Sequence, residues 1–164
     1  MSAAIGFLMP KRELAHPHQI IDWLEGWGAQ LDEPAELTLI GSGGLLWHVH
    51  RRGGDEPLPE NSMDVDPVTS SQAVAELAYE AMIGSPFEQE HGWHVNLMPD
   101  MVLDSLPTGW EDRSEKASYG NLTVEVPSPA DLLAPKLLRK EPRDLAHAQF
   151  ARDCGLIAPD HGDE

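Results

Sequence analysis

Cysteine is almost absent: Cys154 is the only one in 164 residues. An intramolecular disulfide and a cysteine-rich zinc site are therefore excluded, and a reducing cytoplasm fits. Positive charge is scarce as well. Eleven lysines and arginines stand against 28 aspartates and glutamates, a formal charge of −17, which argues against broad binding to nucleic acid, because neutralising phosphates requires a positive surface. Long apolar runs are missing. No stretch approaches the roughly 20 residues needed to cross a bilayer, and the start, "MSAAIGFLMPKREL", lacks the basic and apolar regions of a signal peptide. A soluble, unsecreted, cytoplasmic protein with no membrane partner is expected. Internal repeats and low-complexity blocks are also lacking.

What is present is globular. Hydrophobic residues make up 41% of the chain and five are tryptophans, enough for one hydrophobic core. We expect a single domain over 1–164, with a core of about 17–156 and a mobile tail at 157–164. Four of the eleven basic residues, Lys136, Arg139, Lys140 and Arg143, crowd into "KLLRKEPR", a local basic patch in an acidic chain.

Apolar residues Ile20, Trp23, Leu24, Trp27 and Leu31 recur at helical spacing and predict a first helix. "ELTLIG" reads as a strand, and "GGLLWHVHRRG" as a helix that starts in its glycines. After a polar loop, "SMDVDPV" alternates as a second strand, with Met63 and Val65 on one side and Asp64 and Asp66 on the other. "SSQAVAELAYEAMIG" predicts a helix capped by Ser70 or Ser71 and closed by Gly84. "GWHVNLMP" predicts a third strand, "LPTGWEDR" a turn, and "YGNLTVEVPS" a further strand. Two C-terminal helices follow, the first begun by Ser128 and Pro129, the second by Pro142. The alternation predicts an α/β (α+β) fold: a small mixed, twisted sheet, helices mainly on one face, and a C-terminal helical pair.

Two carboxylates at alternate strand positions share a face, their roots about 7 Å apart, so both can ligate one cation. Hard oxygen ligands suit magnesium, which in turn suits nucleotide phosphates. Gly41-Ser42 lies between a strand and a helix, where glycine permits close backbone approach and a helix N-terminus favours phosphate. Strand, turn, helix and a strand bearing Asp64 and Asp66 would together cradle a metal-bound triphosphate. The histidines do not form such a set: His48 and His50 cannot share a helix face, and His91 and His94 lack partners at ligand spacing. The tryptophans read as core anchors.

In this order of elements the chain resembles the minimal nucleotidyltransferase superfamily, of DNA polymerase beta-like fold. Ile40, Gly41 and Ser42, then Asp64, Val65 and Asp66, match its pattern, although the spacer between them is longer, the excess falling in "GGDEPLPE". "ADLLAPKLLRKEPRDLAH" is similar to a segment of AbiEii-type toxins and related uncharacterised nucleotidyltransferase-like proteins, with Leu132, Lys136, Arg143 and Asp144 in place and His147 standing where the last acid would be. The resemblance covers about 36–156. It implies that Asp64 and Asp66 are catalytic and bind Mg2+. It also implies that Gly41, Ser42 and Lys136 bind the nucleotide and that Asp144 supports the site. The family has a third carboxylate on a neighbouring strand, and here Asn96 takes the aligned position; an amide cannot serve as a carboxylate base. Glu125, on a strand face shared with Thr123, is the expected replacement, ahead of Asp100.

The expected function is a magnesium-dependent transfer of a nucleotidyl group from a nucleoside triphosphate to a hydroxyl of RNA or protein, within a toxin-antitoxin or phage-defence system. The alternative is a catalytically degenerate binding module, for which Asn96, His147 and the charge of −17 speak. A basic protein partner encoded nearby would complement that charge. A purely structural domain fits the placed aspartates least well.

Overall fold

The computed structural model describes residues 13–59 and 62–158; from residue 159 onward the expected tail lies outside them. α1 (Pro17–Gln30) starts with proline at its first position, and the Gln19 side chain accepts the backbone N–H groups of Ala15 and His16 at 2.8 and 2.7 Å. Its predicted stripe is buried, Ile20, Trp23, Leu24 and Trp27 among it. β1 (Ala35–Ile40) and α2 (Ser42–Arg51) follow, then β2 (Asp64–Val68) and α3 (Gln72–Glu80). Ser71 caps α3, its Oγ accepting Val74 N–H at 3.2 Å.

Three elements differ from expectation. α3 stops at Glu80 instead of running to Gly84, and a separate α4 (Pro86–His91) follows, started by Ser85 as cap and Pro86 at its first position. After β3 (His94–Val95) comes a 3-10 turn (Asp100–Ser105), in a stretch with no predicted element, and then α5 (Trp110–Arg113) where a plain turn is predicted. β4 (Glu115–Tyr119) precedes β5 (Leu122–Val126) in a tight hairpin. β4 is an edge strand with no buried residue, so hydrophobic alternation could not announce it.

The strands form one mixed five-stranded sheet in the order β3-β2-β1-β5-β4. Central β1 runs antiparallel to β2 and parallel to β5. Leu37, Leu39, Val65, Leu122, Val124 and Val126 are buried together, each such aliphatic side chain contributing roughly 1.5–3 kcal/mol. The other sheet face carries Thr38, Ile40, Asp64, Asp66 and Glu125, as the pairings Ile40↔Asp66 and Thr38↔Glu125 require. α1 lies close over the β4–β5 turn: a Cβ at Gly28 would sit 1.7 Å from the Tyr119 carbonyl oxygen, so only glycine admits the contact.

α6 (Pro129–Arg139) and α7 (Pro142–Asp153) are the predicted C-terminal pair. Ser128 caps α6, and Arg113 grips Asp131 in its first turn through two bonds of 2.9 Å. Lys140 ends α6 in a left-handed conformation, φ 58°, and Glu141 already caps α7. Among the described residues no helix is long and apolar enough to cross a membrane.

Candidate functional site

β1 ends, α2 begins and β2 begins at one corner of the sheet. Gly41 joins the first two with φ 76° and ψ −164°, a conformation natural only to glycine. A Cβ there would lie 2.6 Å from Asp66 Oδ2. The glycine therefore serves two ends: it turns the chain into α2, and it lets the Asp66 carboxylate come up against the backbone. Ser42 opens α2 at the end carrying partial positive charge.

Asp64 and Asp66 form one wall, with Val65 buried between them on the opposite face. Burial, and then the charge of Asp64, push the Asp66 carboxyl up to about 6, against the opposing effects of Asn96, Lys136 and His94. Asn96 follows β3, and its backbone N–H meets Val65 O at 2.8 Å. Its side-chain Nδ2 donates to Asp66 Oδ1 at 3.3 Å. Next to Asp64 stands His94, with Nε2 4.0 Å from Asp64 Oδ2 and Nδ1 2.8 Å from Glu88 Oε2.

The opposite wall is basic. Lys136 and Arg139 come from α6 and Arg143 from α7, and they share with Ser42, Asp64 and Asp66 a cavity of about 190 Å³. Asp144 and His147 of α7 complete it. Asp144 is buried. Arg139 Nη2 and Nε donate to its two oxygens at 2.7 and 3.1 Å, and Lys136 Nζ lies 3.8 Å away. Burial would raise this carboxyl, but the bonds and charges of Arg139 and Lys136 outweigh it and hold the group below its usual value. Burial lowers the Lys136 ammonium in turn. His147 is 1% exposed, and neither ring nitrogen has a hydrogen-bond partner among the described residues. Burial, then the charges of Lys136 and Arg143, bring its pKa down to about 4.

Ser42, Asp64, Asp66, Lys136 and Asp144 thus come together, with Gly41 behind Asp66. Glu125 does not join them. It shares the face of Asp66, but β1 lies between their strands, a separation of about 10 Å at the usual strand spacing, and its Oε2 accepts the Ser114 hydroxyl at 2.6 Å. Asp100 is exposed on the 3-10 turn. Arg139 and His147 are the members that no single-residue motif announced; the only signal was the basic cluster "KLLRKEPR" and the departure at 147.

The remaining histidines and the tryptophans fill other roles. His48 is wholly buried and His50 exposed, and His91 stacks on Phe87 with ring centroids 4.0 Å apart. All five tryptophans are buried. Among the described residues, no group of three or more histidine, cysteine, aspartate or glutamate side chains is arranged to hold a metal ion. The donor set that remains is the pair Asp64 and Asp66. Hard oxygens crowded so that the charge of Asp64 raises the Asp66 pKa are stabilised by a divalent cation, so the pair fits magnesium. No family model, curated protein or solved structure matches this chain.

Proposed function

We propose that this chain is a magnesium-dependent nucleotidyltransferase of nucleotidyltransferase fold, taking a nucleoside triphosphate and transferring its nucleotidyl group to a hydroxyl of RNA or protein. The observation that carries the reading is the convergence of the Asp64/Asp66 pair, the Gly41-Ser42 helix start and Lys136 around one small cavity. Asp64 and Asp66 would hold magnesium, which supplies neutralisation of phosphate charge and polarisation of the phosphoryl oxygens. The start of α2 and Lys136 bind and orient the phosphate chain. Arg139 and Asp144 fix the Lys136 wall in position. A cavity of about 190 Å³ is smaller than the roughly 300–1,000 Å³ of sites that engulf a ligand, so the phosphates enter and the sugar and base rest at its mouth. Incubation of the full chain with each labelled triphosphate, magnesium and candidate acceptors tests this. Label transfer that vanishes in Asp64→Ala is expected; transfer undiminished in that variant sinks the assignment.

A second reading, a degenerate binding module acting on a basic protein partner, is favoured by one observation: Asn96, an amide, occupies the place beside Asp66. Loss of a general base slows transfer by roughly 10²- to 10⁴-fold. A gain of that size in Asn96→Asp would favour the module. Abolition of wild-type transfer by Glu125→Gln, with no gain in Asn96→Asp, would instead place the base on β5.

A further inference from the structure

We propose that His147 is a ligand-binding residue of the cleft, its imidazole forming a hydrogen bond to an oxygen of a polyphosphate chain lying against α6 and α7. The proposal rests on the phosphate-binding reading given above and identifies a contact beyond the lysine and the helix start. A neutral imidazole has one N–H donor and one acceptor nitrogen. In His147 both are buried, and both are without a partner among the described residues. Burial of polar atoms in that condition destabilises a fold unless something else satisfies them.

The surroundings identify the chemistry of the missing partner. Lys136, Arg143 and Asp144 are the charged groups acting on the ring, and all three line the same cavity with it. Asp144 is engaged by Arg139. The two cations can offer hydrogens to the acceptor nitrogen but cannot accept the ring N–H. A ligand that takes up the ring N–H must therefore supply an acceptor oxygen, and the charges of Lys136 and Arg143 favour an anionic one, which describes a phosphate chain. The nitrogens are shielded from water, and the long side chains of Lys136 and Arg143 stand beside them.

Calorimetric titration of the full chain with metal-free inorganic tripolyphosphate tests the proposal, because it probes the basic wall without the aspartates. His147→Leu removes both nitrogens at nearly constant volume. Its melting temperature is expected to equal or exceed that of wild type, while tripolyphosphate affinity falls roughly tenfold or more, the loss of a hydrogen bond to a charged group. His147→Gln keeps a donor and an acceptor and is expected to retain affinity within about threefold. Undiminished affinity in His147→Leu, or equal losses in both variants, overturns the proposal. Nitrogen-15 spectra of histidine-labelled wild type give a check that needs no stable leucine variant. The imidazole resonances absent from His147→Gln shift on adding tripolyphosphate; fixed resonances overturn the proposal. If wild type binds neither tripolyphosphate nor any magnesium-triphosphate, the proposed function falls together with this inference. If wild type binds and position 147 makes no difference, only this inference falls.

Discussion

His48 lies in the corner where α2 meets β4 and the end of β5, and His147 in the corner where α7 meets α6. Both are shut away from solvent, at 0% and 1% exposure, and burial lowers the pKa of both. The corners differ in what the imidazoles touch. His48 Nε2 donates to the Pro127 carbonyl at 2.8 Å, which fixes the tautomer, and its Nδ1 accepts from Arg52 Nη1 at 3.2 Å. His147 has no hydrogen-bond partner among the described residues. The first corner ties the helix to the chain leaving the sheet; the second leaves a polar ring facing a cavity. Equal burial thus accompanies opposite roles, and the number of satisfied nitrogens separates them.

Acid should break the comparison most widely. The His147 pKa is depressed from 6.5 to about 4, so between those values the unfolded chain binds the extra proton and stability falls as pH falls. The loss is nil above pH 6.5 and, for a ring so fully buried, grows to about 3 kcal/mol below pH 4. Urea unfolding across pH 7 to 4 should therefore show wild type losing more stability than His147→Leu. Parallel curves would contradict the assigned neutral state. At neutral pH, His48→Leu strands the Pro127 carbonyl and is expected to cost about 2 kcal/mol, whereas His147→Leu costs nothing. Equal destabilisation of the two variants would erase the distinction between the corners.

The acid wall facing His147 gives an effect of the opposite sign. The Asp66 pKa is raised from 3.8 to about 6, so its protonated form adds stability that is complete below 3.8 and lost as pH rises through 6. Asp66→Asn should be more stable than wild type above pH 6 and indistinguishable from it near pH 3.8. Magnesium should raise the melting temperature of wild type but not of the variant. Magnesium stabilisation that persists in Asp66→Asn would remove this residue from the metal pair.

The parts legible in the sequence were those with local causes. Gly41-Ser42 ends a strand and starts a helix, Pro129 and Pro142 stand at first helical positions, and the alternation around Val65 sets both aspartates on one face. Relations between distant segments were not legible. Glu125 lies on the correct face, yet β1 intervenes because β5 inserts parallel to it and away from β2; alternation reports a face and says nothing of strand order. β4 escaped because an edge strand buries little, and α4 because six residues are too few for a periodic pattern. Ser85-Pro86 was its available signal. The union of Lys136 with His147 depended on how two helices meet, which no motif encodes.

That meeting occurs at a single corner. Lys140 closes α6 and Glu141 opens α7 with no residue to spare, and Arg139 braces the angle through Asp144. The left-handed backbone at Lys140 costs a non-glycine residue about 1–2 kcal/mol, so a change of side chain there is tolerable and glycine would relax the strain. A change of length is another matter. One residue inserted in α6 after Lys136, or in α7 before Asp144, turns everything beyond it by about 100°, swinging Asp144 and His147 out of register with Lys136. Descendants of this sequence can therefore vary in the letters at the corner far more freely than in the number of residues from 136 to 147.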